Sequence, residues 1–176
     1  MSGEEGKAKL SFLKNGLDQV AIVVGDLDQA VENYWKLLGV GPWRIHTFGR
    51  PAVKRMSYHG QPSEFMFRTA FAQVGPLRLE LIQVIAGQTI YDDWAKERGY
   101  GLHHIGVLVD DMDKALEEAR EAGLSVLQEG SGYGLDGDGH YAYLDTGKLI
   151  GTILELIKLP ARRAAPEKVY PLEEAK

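Results

Sequence analysis

The chain is written twice, and that limits what it can fold into. "LDQVAIVVGDLDQA" from Leu17 and "LHHIGVLVDDMDKA" from Leu102 match at a spacing of 85 positions, pairing Leu17 with Leu102, Asp26 with Asp111, Asp28 with Asp113 and Ala30 with Ala115. A second match, "LELI" at Leu79–Ile82 and Leu154–Ile157, comes at a spacing of 75. A repeat of this length means two supersecondary units that must bury their apolar faces against each other.

Each copy opens with a short β-branched run, at about 17–24 and 102–109, which predicts a strand. Asp26 and Asp111 then suit helix N-caps, with Gln29 three residues past the first completing a capping box. Leu27, Ala30, Val31, Tyr34 and Leu38 share one helical face, and Met112, Ala115, Leu116 and Ala119 share another. Gly39 and Gly123 close the two helices. Strand-like text follows in both: "WRIHTF", "FMFRTAFAQV" and "LRLELIQV" in the first copy, "LSVLQE", "HYAYLDT" and "TILELIKL" in the second. The expected fold is α+β, two βαβββ modules (15–86 and 100–159) whose sheets form a curved cup. They are joined by a linker helix (87–99) and flanked by an N-terminal extension (1–14) and a C-terminal tail (160–176). The extension is read as polar and frayed, with Leu10, Phe12 and Leu13 able to dock, and the tail as mobile or packed on a partner.

The repeat gives meaning to four polar residues. Gln19 aligns with His104, and Glu80 aligns with Glu155. A carboxylate among aliphatic residues in a strand is costly if buried alone. Two at matched positions ask for a shared cation, so Gln19, Glu80, His104 and Glu155 form the expected divalent metal site. Alternation along the strand turns His103 away from His104 and leaves it a structural role. Trp43, Phe65, Phe67, Phe71, Tyr141 and Tyr143 are core or cavity lining. Arg68, Arg78, Phe67 and Tyr143 are the substrate-binding candidates, the two arginines for an acidic group. His46, His59 and His140 are candidate second bases. "GSGYGLDGDGH" (Gly130–His140) lies between strands and not before a helix, so it reads as a loop at the cup mouth and not a phosphate loop.

Cysteine is absent, which excludes disulfides, thiolate nucleophiles and cysteine metal sites. The net charge is −5, without a basic, aromatic-rich cluster, so nucleic acid is not an expected partner. No run of 18 apolar residues suggests a membrane span, and no apolar signal core follows the start, so the expected compartment is the cytoplasm.

"LDQVAIVVGDLDQAVENY", "LRLELIQ", "GLHHIGVLVDDMDKALEEA" and "GTILELI" together resemble the vicinal oxygen chelate superfamily, the glyoxalase and bleomycin-resistance group. The resemblance covers about 15–159. "IYDDWAKERGYGLHHIGVLVDD" with "GTILELI" is similar to methylmalonyl-CoA epimerase, whereas the set Gln19, Glu80, His104 and Glu155 is similar to that of glyoxalase I. The epimerase family carries His where Gln19 stands, and its second catalytic carboxylate would fall near Thr69, with Glu64 the nearest acid. The resemblance implies a divalent metal (Zn, Ni, Co, Mn or Fe) that chelates a carbonyl of a small substrate. Glu155 is then first choice, and Glu80 second, as the base that takes a proton from the neighbouring carbon. The implied activity is an epimerase or isomerase, on an acyl-CoA thioester for example, or a glyoxalase I-like lyase, in a homodimer. An iron dioxygenase fits less well, because Gln19 replaces one histidine. A metal-free small-molecule binding protein is the non-enzyme alternative, at the cost of two unpaired carboxylates.

Overall fold

The computed structural model describes residues 10–172. In the first module, β1 (Gln19–Val23) leads to α1 (Leu27–Leu38), then to β2 (Trp43–Phe48), β3 (Arg55–Tyr58), β4 (Gln61–Pro62), β5 (Met66–Val74) and β6 (Leu77–Ala86). The linker helix α2 (Ile90–Arg98) follows. The second module is β7 (Gly101–Leu108), α3 (Met112–Glu121), β8 (Val126–Tyr133), β9 (Gly139–Leu144), the short α4 (Gly147–Ile150) and β10 (Ile153–Lys158); β11 (Lys168–Tyr170) lies in the tail. Both N-caps read from the sequence are made, although the Gln29 side chain donates to Asn33 and does not complete the capping box. Asp26 accepts from the Gln29 amide at 3.0 Å, Asp111 accepts from the Lys114 amide at 3.1 Å, and Gly39 ends α1 in the left-handed conformation at φ 66°.

The eleven strands of the described residues join one curled sheet in the order β11-β2-β5-β6-β1-β7-β10-β9-β8-β3-β4. The two modules repeat the same order, and they meet where β1 pairs antiparallel with β7. Helices α1 and α3 cover the convex face. Leu27 and Val31 pack on Trp43, Ile45, Ala70 and Leu81, and Met112, Ala115 and Ala119 pack on Val107, Leu144, Leu154 and Leu156. The concave face holds the aromatic cluster of Phe65, Phe67, Tyr91, Tyr141 and Tyr143. Tyr91 of α2 plugs its base, its hydroxyl 2.6 Å from that of Tyr143.

Three features depart from the sequence reading. The β3–β4 hairpin belongs to the first module by sequence but pairs with β8, the far edge of the second. The tail, expected to be mobile or to rest on a partner, packs on its own chain. Glu167 donates its amide to the Ile45 carbonyl at 2.9 Å, and Lys168–Tyr170 adds a strand to β2. On the way it crosses the loop after β8, where the Leu135 amide reaches the Arg162 carbonyl at 3.0 Å and Arg162 pairs with Asp136. Gly134 permits this crossing, since a Cβ there would meet the Pro160 ring at 2.3 Å. Finally, the expected frayed extension ends in a single 3-10 turn (Ser11–Asn15). There Ser11 binds Glu118 of α3 and Phe12 packs under that helix, while residues 1–9 lie outside the described part. No described helix is long and apolar enough to cross a membrane.

Candidate metal centre

The four central strands β6, β1, β7 and β10 each bring one of the four matched polar residues to the concave face. Pairing fixes the arrangement: Ala21 stands opposite both Glu80 and His104, and Gly106 stands opposite both Gln19 and Glu155. Gly106 is required there. A Cβ would lie 2.8 Å from Ile157 Cδ1, 3.0 Å from Gln19 Cβ and 3.2 Å from Glu155 Oε2. All four side chains are buried, with Gln19 at 1%, His104 at 0% and both glutamates at 4% exposure.

The Gln19 Nε2 group donates to Glu80 Oε2 and to Glu155 Oε2, each at 2.7 Å. His104 Nε2 lies 3.1 Å from Glu155 Oε2 and 3.4 Å from Glu80 Oε2. On the other side, Arg78 Nε donates to Gln19 Oε1 at 2.6 Å, and its guanidinium rests over the Phe71 ring at 4.9 Å. The two carboxylates are held differently. Thr69 donates to Glu80 Oε1 at 2.6 Å, so both Glu80 oxygens are engaged. Glu155 Oε1 accepts no hydrogen bond among the described residues, both of its contacts being on Oε2. The carboxylates are thus satisfied by an amide, a hydroxyl and an imidazole, and the expected cost of two unpaired glutamates in a metal-free site is reduced.

His103 is closer to the site than strand alternation predicts. The register of β7 against β1 skips it, with Ala21 opposite His104 and Ile22 opposite Leu102. Such a bulge turns two successive side chains to one face. The two imidazoles place Nδ1 within 2.9 Å of Nδ1, and the His103 ring packs against Tyr91 and Trp94. Burial and the neighbouring His104 charge hold His103 well below its ordinary pKa. Burial works against charge on His104 as well, but Glu155 and Glu80 outweigh it and raise its pKa to about 9. His104 thus turns Nδ1 toward His103 while its Nε2 faces the carboxylates. An outer hydrogen bond of this kind fixes the orientation of a metal-binding histidine.

Glu80, His104 and Glu155 bring one donor atom each within 4.8 Å of one another, and this buried two-carboxylate, one-imidazole set fits a divalent cation. Gln19 lies beside it with its amide nitrogen, not its carbonyl, toward the centre.

A cavity of about 390 Å³ opens above these residues. Gln19, Glu80 and Glu155 form its floor, Phe48, Phe67, Phe71, Tyr141 and Tyr143 its walls, and Arg44, His46 and Arg163 its more exposed rim. Phe67, Tyr143 and Arg78 of the expected substrate contacts line it. Arg68 does not. It alternates with Phe67 and Thr69, so it faces outward and pairs with Asp28 of α1 at 2.8 Å. Glu64 is exposed and paired with Arg50, and His140 pairs with Glu129. Of the candidate histidines only His46 reaches the cavity, with its pKa lowered by burial. Arg44 and Arg163 were not singled out in the sequence. Arg44 is one of six residues in an ordinary strand, and Arg163 enters only because the tail crosses the mouth.

Residues 18–143 match the model of the Glyoxalase/Bleomycin resistance protein/Dioxygenase superfamily. The uncharacterized protein YqjC of Bacillus subtilis (strain 168) is 23% identical over 142 residues, 81% of this chain and 91% of that protein. Methylmalonyl-CoA epimerase from Mycobacterium tuberculosis superposes with a TM-score of 0.58 at 22% identity, covering 82% of this chain and 89% of that one. A Streptomyces coelicolor methylmalonyl-CoA epimerase variant in complex with 2-nitronate-propionyl-CoA gives a TM-score of 0.58 at 23% identity, covering 82% and 97%.

Proposed function

The chain belongs to the glyoxalase/bleomycin resistance protein/dioxygenase superfamily. On that premise we propose that it is a divalent-metal-dependent enzyme of the epimerase or isomerase type, moving a proton on the carbon next to a carbonyl. The observation that carries this reading is the convergence of Glu80, His104 and Glu155 at the floor of a 390 Å³ cavity.

A divalent ion on those three residues would act as a Lewis acid toward a carbonyl oxygen and stabilise the enolate that forms when the adjacent carbon is deprotonated. The proton goes to Glu155. It lines the cavity and has an oxygen unclaimed by its neighbours, whereas Glu80 is committed at both oxygens. The aromatic walls exclude water and strengthen the electrostatics of the floor. Arg44 and Arg163 suit an anionic group on the part of the substrate that stays at the mouth. A thioester of coenzyme A, as in the named epimerase complexes, fits that pattern, with the acyl end inside and the anionic remainder outside.

One observation favours a second reading. The carboxylates already accept hydrogen bonds within the chain, so a metal-free small-molecule binding protein costs less than an apolar cup with bare glutamates. Elemental analysis of untagged protein, followed by metal titration, separates the two. Solvent deuterium exchange into acyl-CoA thioesters or into methylglyoxal hemithioacetal then separates epimerase from glyoxalase chemistry. Metal uptake with exchange into one of these substrates is expected. A protein that takes up no metal and exchanges no proton would leave only the binding role.

A further inference from the structure

The tail after β10 belongs to neither module, yet it crosses the mouth of the cavity that both build. Leu159, Pro160, Ala164 and Pro166 line that cavity, and Arg163 stands at its rim. The tail is tied down at two places. On one side the Ala161 amide donates to the Asp138 carboxylate at 3.1 Å, the Leu135 amide donates to the Arg162 carbonyl at 3.0 Å, and Arg162 pairs with Asp136. On the other, the Glu167 amide donates to the Ile45 carbonyl at 2.9 Å, and the Glu167 carboxylate accepts from the Thr47 amide at 2.9 Å and the Thr47 hydroxyl at 3.0 Å. Between these ties the backbone of 163–166 makes no hydrogen bond among the described residues. A segment held by exposed ties at its ends and unbonded in its middle opens at low cost.

Charge at the mouth is unbalanced. Arg68 and Lys168 pair with Asp28, and Arg162 pairs with Asp136, all away from the cavity. The two arginines at the mouth, Arg44 and Arg163, form no ion pair among the described residues. Burial lowers the His46 pKa, and although Glu167 opposes this, Arg163 and Arg44 add to it, so both guanidiniums act on one ring. Laying the tail across the mouth therefore brings Arg163 toward like charge, a cost that an anion would offset.

We propose that residues 159–167 are a strap closed by the substrate itself: a carboxylate or phosphate gripped between Arg163 and Arg44 holds the tail down over the substrate. This deepens the reading above by naming the substrate's charge and its direction. Acids lie at the floor and cations at the rim, so the anion points outward and the carbonyl inward, with an apolar body between the aromatic walls.

Trypsin cuts after Arg162 and Arg163, and its rate tracks the open population of the strap. Phenylbutyrate, an apolar body with one carboxylate, should slow release of the tail peptide from the full chain by about fivefold, followed by mass spectrometry. Neutral phenylbutyramide should give no protection. Arg44→Gln and Arg163→Gln change exposed side chains and spare the core. Each should weaken phenylbutyrate binding, measured by calorimetry, by about tenfold. Arg44→Gln keeps both cleavage sites and should lose the protection, whereas Arg68→Gln, outside the cavity, should behave as the wild type. Phenylpropyl phosphate binding more tightly than phenylbutyrate assigns the anion to a phosphorylated carrier, and the reverse assigns it to a free acid. Equal binding of phenylbutyrate and its amide, or no protection by either anion, overturns the strap and leaves the metal-dependent reading intact. A chain that takes up no metal ends that reading and leaves the strap standing.

Discussion

The two modules build the same sheet from the same order of elements, yet they furnish the centre unequally. The first gives Gln19, Ala21, Arg78 and Glu80. At the corresponding positions the second gives His104, Gly106, Ile153 and Glu155. The first therefore supplies a carboxylate pinned by Thr69 and an amide steered by Arg78. The second supplies an imidazole steered by its neighbour and a carboxylate with a free oxygen. Symmetry brings the four groups together, and the departures from it leave one carboxylate held at both oxygens and the other held at one.

The largest expected effect tests that difference directly. Glu155→Gln should lower solvent exchange of the substrate proton by about 10³-fold. Glu80→Gln should act mainly through a loss of metal affinity, with turnover recovered in part at high metal concentration. Steady-state exchange measured across metal concentrations distinguishes the two, and equal, metal-insensitive losses would break the comparison. A smaller effect is expected at Gly106, which holds the position that Ala21 holds in the first module. Gly106→Ala forces a methyl against Ile157 and Gln19 and should cost about 1–3 kcal/mol in urea unfolding. Ala21→Gly creates no overlap and should cost about 0.5–1 kcal/mol.

The smallest effect is in the pH dependence of the metal-free protein. His104 has a pKa raised to about 9, so its contribution to stability is complete below the ordinary histidine value near 6.5 and is lost as pH rises through 9. His103 is depressed, so its contribution is present above that value and is lost on acidification. Melting temperature should therefore peak near pH 6.5. His104→Gln, which gives both modules the same residue, should flatten the alkaline limb.

The repeat made the sheet, both outer helices and the four matched residues legible in the sequence. Helix periodicity and N-capping are local, and the structure shows both at α1 and α3. The β3–β4 hairpin was not legible, because its partner strand is remote and its apolar pattern is short. The drop in repeat spacing from 85 to 75 nonetheless recorded extra residues between strands of the first module. His103 was misplaced because a bulge breaks strict alternation, and Arg68 because strand membership alone does not say which face a residue takes. The direction of the Gln19 amide depends on Arg78 on the adjacent strand, a relation that pairing register creates and spacing does not reveal.

The crossing tail has a consequence beyond the cavity. A strand at the edge of a sheet is a template on which another chain can grow. Here the outermost strands are only two and three residues long. One is Gln61–Pro62, where a proline lacks the N–H, and the other is Lys168–Tyr170, which begins with a lysine and is followed by Pro171. Both are poor templates. Without residues 167–170, the longer strand Trp43–Phe48 would be left with one side open. The segment that closes the cup therefore also guards the protein against edge-to-edge aggregation.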